Sequence, residues 1–109
     1  MHAGKAELMV QHNLFGIGGV AMEDCARSIG ALFEIELSQR ESDYLGCYMI
    51  GAGADFKVKL VEQSDPEGEL IESEYPDLGI LIYLDGESDF PQVDGHEVSG
   101  VRIVGISGS

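Results

Sequence analysis

Apolar and polar positions alternate most cleanly in two short segments of the chain. In residues 33–38, Phe33, Ile35 and Leu37 alternate with Glu34, Glu36 and Ser38. In residues 56–60, Phe56, Val58 and Leu60 alternate with Lys57 and Lys59. A period of two is the signature of a strand with one buried and one wet face. Between these segments, residues 40–45 are polar and turn-forming, Gly46 to Gly51 reads as a strand rich in Tyr, Met and Ile, and residues 51–55 are a Gly-rich turn. The pattern predicts three consecutive antiparallel strands within residues 33–61. It also places the two lysines across the sheet from Glu34 and Glu36, at ~0.2–1 kcal/mol per well-placed pair. Residues 78–84 are apolar at nearly every position, as expected of a central strand covered on both faces. Ile80, Ile82 and Leu84 are therefore expected to be buried, together with at least one of Leu81 and Tyr83.

The remaining segments fit around this meander. Residues 7–15 read as a first strand and 16–19 as a Gly-rich connection. Met22, Cys25, Ala26 and Ile29 recur at helical spacing, which predicts a helix over residues 20–29. Glu23 and Asp24 suit the positive end of its dipole, and Gly30 is a natural stop. Residues 63–76 are loaded with carboxylates and interrupted by Pro66 and Gly68, with a short edge strand expected at Leu70-Ile71. Asp85-Gly86 reads as a turn, 88–95 as a loop, and 98–106 as a last strand with Val101 and Ile103 on one face. The connections after residue 32 are too short for parallel crossovers, which need about a dozen residues. The expected fold is α+β: one antiparallel sheet of about five to six strands with one helix packed on one face, forming a single domain over residues 1–109.

Composition narrows the classes of function. Apolar residues make up 44% of the 109, enough for a real core. The formal net charge of -14 argues against direct binding to nucleic acid or an anionic membrane, and favours a basic partner or a cation. Residues 1–7 lack the basic start and long apolar run of a secretory signal, and the longest apolar run is far too short to span a bilayer. A cytoplasmic setting is expected. There Cys25 and Cys47, the two cysteines, would be reduced thiols behaving as small core residues.

No motif defines an active site. Residues 16–21, Gly-Ile-Gly-Gly-Val-Ala, fit the dinucleotide fingerprint between a predicted strand and helix, and Glu36 lies twenty residues after Gly16. The hairpins downstream contradict the parallel sheet that this fingerprint requires, so the segment reads as a plain strand-to-helix turn. A small-ligand or nucleotide-binding module using that turn is the alternative function. His2, His12 and His96 are scattered without metal-ligand spacing. A catalytic pair of Cys47 with one of them is less expected than an inert core thiol. The carboxylates around residues 85–89 lack the ordered spacing of a calcium loop. The expectation is a protein that is not an enzyme, with no cofactor and no metal.

Charge distribution says more than any motif. Residues 60–101 hold twelve acids and no Lys or Arg. Such a field steers basic partners, raising association rates by about 10–1,000-fold. Three stretches add a resemblance: Cys25 through Phe33; Arg40-Glu41-Ser42-Asp43-Tyr44-Leu45-Gly46-Cys47-Tyr48; and Glu74-Tyr75-Pro76 before an apolar strand. Together they resemble small bacterial immunity proteins of polymorphic and contact-dependent growth inhibition toxin systems, some of which carry a similar segment after a helix ending in Gly. Cys47 and a single Tyr48 stand where those sequences often have a polar residue and paired aromatics. The resemblance implies a cytoplasmic protein that neutralises one cognate toxin C-terminal domain, basic and either an RNase or a DNase. The expected contacts are Glu41, Asp43 and Tyr44 at the hairpin corner, with Glu67, Glu69, Glu72, Glu74, Asp85, Glu87 and Asp89 on an acidic rim. Carboxylates would accept charge-assisted bonds from Arg and Lys, and Tyr44 would be a rigid anchor.

Overall fold

The computed structural model describes residues 11–42, 46–62, 78–86 and 90–106. Its elements in chain order are β1 (Gln11–Ile17), α1 (Met22–Phe33), β2 (Ser38–Ser42), β3 (Gly46–Ala52), β4 (Phe56–Glu62), β5 (Ile80–Gly86), β6 (Glu97–Val98), β7 (Val101–Arg102) and β8 (Val104–Gly105). Six strands form one antiparallel sheet in the order β2-β3-β4-β5-β1-β8, and β6 and β7 form a small hairpin of their own. One helix on an antiparallel sheet is the α+β architecture that the patterning predicts.

The helix buries Cys25, Ala26 and Ile29 of the stripe that the spacing marks, with Met22 half-buried and Gly30 buried beside them. Its end differs from expectation. It runs through Gly30 to Phe33, and the chain turns at Glu34, which adopts the left-handed conformation at φ 58°. The Glu34 and Ile35 N–H groups both donate to the Gly30 carbonyl. Glycine is needed at position 30 for close approach rather than for positive φ: a Cβ there would stand 2.8 Å from the Ile35 carbonyl oxygen.

The strand expected over residues 33–37 is absent. Phe33 closes α1, and residues 35–37 form a connection with no ladder partner. The alternation is nevertheless real. Phe33, Ile35 and Leu37 are half-buried against the core while Glu34 and Glu36 are exposed. The two-residue period recorded alternating burial across the helix end and the connection after it, not a hydrogen-bonded strand. The strand lies instead at Ser38–Ser42, within and beside the segment read as a turn, and it pairs with β3 from Ser38 opposite Ile50 to Ser42 opposite Gly46. An edge strand needs hydrogen bonds from one neighbour only, so its polar composition does not prevent pairing. The meander is three consecutive antiparallel strands, β2 to β4, as expected, with only its first strand displaced by about five residues toward the C-terminus.

That shift also removes the expected lysine pairs. β4 lies between β3 and β5, so Lys57 stands opposite Ala52 and Asp85, and Lys59 opposite Ile50 and Tyr83. Glu34 and Glu36 belong to no strand.

β5 is covered on both faces, as its unbroken apolar run requires. Ile80, Ile82 and Leu84 point toward α1 and join Phe15, Ile17, Val58 and Leu60 in the main core. Leu81 faces the other way, clustering with Leu14, Ile106, Leu78 and Tyr83. All four aliphatic residues of β5 are buried and Tyr83 is half-buried. Phe33, Phe56 and Phe90 close one end of the main core, with ring centroids 5.0 to 5.9 Å apart. That spacing suits tilted and edge-to-face aromatic pairs. The segment expected as one last strand is broken up: β6 and β7 join through Ser99 and Gly100, both at positive φ, as in the tight hairpin turns favoured by strand twist. Ile103 is buried and Val101 packs beside it on the main core, and β8 then pairs with β1.

Candidate functional site

The β2–β3 hairpin holds the first group of expected contact residues. Glu41 is exposed on β2, the outer strand of the sheet, opposite Cys47. Asp43 and Tyr44 fall between the paired ends Ser42 and Gly46, outside the described residues. Cys47 corrects an expectation: it is exposed, not a core residue. It shares the helix-side face with Met49, but sits near the end of β3 beside the polar edge strand, where nothing apolar covers it fully. Its thiol lies 3.7 Å from Gln39 Nε2 and 3.8 Å from Glu41 Oε2. Cys25 matches the expectation; it is fully buried, and burial pushes its thiol from 9.0 up to about 12. Both thiols are free.

Of the expected rim residues, Asp85 is within the described set. It projects from β5 on the face opposite α1, where its carboxylate accepts a 2.8 Å hydrogen bond from His12 Nδ1 on β1. Glu41 and Asp85 therefore occupy opposite faces of the sheet, three strands apart. Glu67, Glu69, Glu72, Glu74, Glu87 and Asp89 lie outside the described residues. The exposed acids Glu62, Asp94 and Glu97 belong to the same cation-free stretch.

The Gly-rich turn does not sit in a nucleotide-binding context. Both neighbours of β1, β5 and β8, are antiparallel to it, and β2, the strand after α1, lies at the far edge of the sheet, so residues 16–21 do not open a βαβ unit of neighbouring parallel strands. Gly16 is buried inside β1, where a Cβ would come within 2.5 Å of Leu78 Cδ1. His96 shares a 3.0 Å hydrogen bond with Ser28 of α1, far in sequence from either cysteine. Among the described residues no group of three or more His, Cys, Asp or Glu is placed to hold a metal ion. Among the same residues no helix is long and apolar enough to cross a membrane.

One feature escaped the sequence reading. A groove of about 630 Å³ crosses the open face of the sheet, the face away from α1. Strand register fixes its floor: Ser38, Ile50, Lys59 and Tyr83 form one row across β2 to β5, with Arg40 and Tyr48 in the row on one side and Lys57 and Asp85 in the row on the other. The lysine alternation in β4 was the available signal. Only the register of β2 and β3 brings Arg40 and Tyr48 alongside those lysines.

No protein-family model, no curated protein and no solved structure matches this chain.

Proposed function

We propose that this chain is a small immunity-type protein that binds and neutralises a basic toxin domain, an RNase or DNase whose cleft is positive to hold phosphate. The observation that carries this reading is charge: twelve acids and no Lys or Arg over residues 60–101, in a chain of net charge -14. Of these, Glu62, Asp94 and Glu97 are exposed. The position of Glu41 supports it further, because it is exposed on β2, the outer strand of the sheet. In this reading the protein is not an enzyme, acts in the cytoplasm and needs no cofactor. Its carboxylates accept hydrogen bonds from Arg and Lys in the toxin cleft, where phosphate would otherwise sit. Contacts made only at the rim speed association, and contacts desolvated against a partner cation slow dissociation.

The test uses the toxin domain encoded beside this gene. Replacing Glu67, Glu69, Glu72 and Glu74 together by Gln removes four charges while keeping size and polarity. The variant should fold normally and associate more slowly, most clearly at low salt, where the Debye length is longest. Protection of cells expressing the toxin should fall with it. If this variant and a second one carrying Asp85→Asn, Glu87→Gln and Asp89→Asn both bind and protect like the parent, the acidic surface is not the binding surface. If the neighbouring gene encodes no toxin, the immunity reading is lost.

A further inference from the structure

Three of the chain's six Lys and Arg residues line the open-face groove. Lys57 and Lys59 alternate onto the same face of β4, and residues two apart on a strand are separated by roughly 6.5–7 Å. Arg40 reaches the groove from β2. In so acidic a protein each cation would be expected to hold a carboxylate. None of these three forms an ion pair among the described residues; the ion pairs there are Arg27–Asp24 and His12–Asp85. Asp85 stands directly opposite Lys57 in the register but is engaged by His12 at 2.8 Å. Lys59 rests its ammonium 5.8 Å from the centre of the Tyr83 ring, which holds the charge over the groove floor.

The rest of the groove is suited to a small organic molecule. Ile50 and Tyr48 are half-buried and give it an apolar and aromatic floor beside the lysines. Its volume falls within the roughly 300–1,000 Å³ of small-molecule sites. Two neighbouring ammonium groups that form no ion pair among the described residues match a dianion better than a single carboxylate. Glu36 and Asp85 also line the groove, which disfavours a ligand charged along its whole length and favours one charged at one end. A nucleic-acid strand is disfavoured further by the net charge of -14.

We propose that this groove binds a small organic phosphate, its dianionic head held between Lys57 and Lys59 and its planar body lying over Ile50 and Tyr48 toward Arg40. The site borders the acidic surface at Asp85 but does not depend on any toxin.

Titration calorimetry and thermal melts of the full chain at low ionic strength, with phenyl phosphate, inorganic phosphate, benzoate and phenol, test the proposal. Phenyl phosphate should bind saturably at one site per chain and raise Tm. Inorganic phosphate and benzoate should bind at least tenfold more weakly, and phenol should not bind. The variant Lys57→Gln/Lys59→Gln should melt like the parent without ligand and lose at least tenfold in affinity. Arg102→Gln removes an exposed cation from β7, away from the groove, and should leave binding unchanged. Absence of saturable phenyl phosphate binding at millimolar concentration overturns the proposal. So does an equal loss in the Arg102→Gln variant, which would make the effect one of overall charge. Inorganic phosphate binding as tightly as phenyl phosphate overturns the role of the floor, and benzoate doing so overturns the assignment to a dianion.

Discussion

Truncating Ile82 to Ala probes the element on which the whole sheet depends. Ile82 is fully buried on β5, opposite Phe15 of β1 and Leu60 of β4, and all three side chains face α1. The change removes three carbons from this layer. At ~0.8 kcal/mol per buried carbon the transfer loss is ~2.4 kcal/mol. The vacated space adds to this, because hydrogen-bonded strands on both sides prevent the layer from collapsing onto it, and measured truncations of this kind span ~2–5 kcal/mol. A value near 3–4 kcal/mol is expected, a large part of the ~5–15 kcal/mol that a whole domain typically has. Urea denaturation followed by far-UV circular dichroism would show it as a lower midpoint with an unchanged slope. Val104, 41% exposed on β8, is the internal control: Val104→Ala should stay within ~0.5 kcal/mol. A loss below about 0.5 kcal/mol for Ile82→Ala would refute the placement of β5 at the centre of a two-sided core.

Other substitutions test the corrected helix end and the two thiols. Gly30→Ala should destabilise despite the ~1 kcal/mol helix preference for Ala, because the new Cβ meets the Ile35 carbonyl at 2.8 Å; a rise in Tm would show that this approach is loose. Glu34→Gly should stabilise by about 0.5–1 kcal/mol, since residue 34 adopts positive φ and Gly does so without a Cβ clash; a lower midpoint in urea would refute this. Iodoacetamide at pH 8 should modify one thiol per native chain, Cys47, and reach Cys25 only after denaturant is added; mass spectrometry showing Cys25 labelled first would refute it. Burial raises the Cys25 thiol from 9.0 to about 12, so the folded state binds its proton more tightly. That contribution is fully present below pH 9 and is lost as pH rises toward 12. A Cys25→Ala variant should show a shallower decline in stability over that window, read from urea midpoints.

The sequence by itself determined which segments are buried and how many layers there are. The stripe of Met22, Cys25, Ala26 and Ile29 could bury only as a helix. The unbroken run through Ile80 and Leu84 needed cover on both faces, and the short connections after the helix ruled out parallel crossovers. These are local facts, because side-chain period and loop length are properties of adjacent residues. Hydrogen-bond partners are not local. The same alternation served residues 33–37 as a helix end with an unpaired connection and residues 56–60 as a paired strand, and the polar residues of Ser38–Ser42 became a strand because β3 offered them an edge. Cys47 looked apolar from its neighbours in sequence, but its neighbour across the sheet is Glu41. The open-face groove was illegible for the same reason. Arg40, Lys57 and Lys59 lie on two strands with a third between them, and only the register of that sheet brings them to one face.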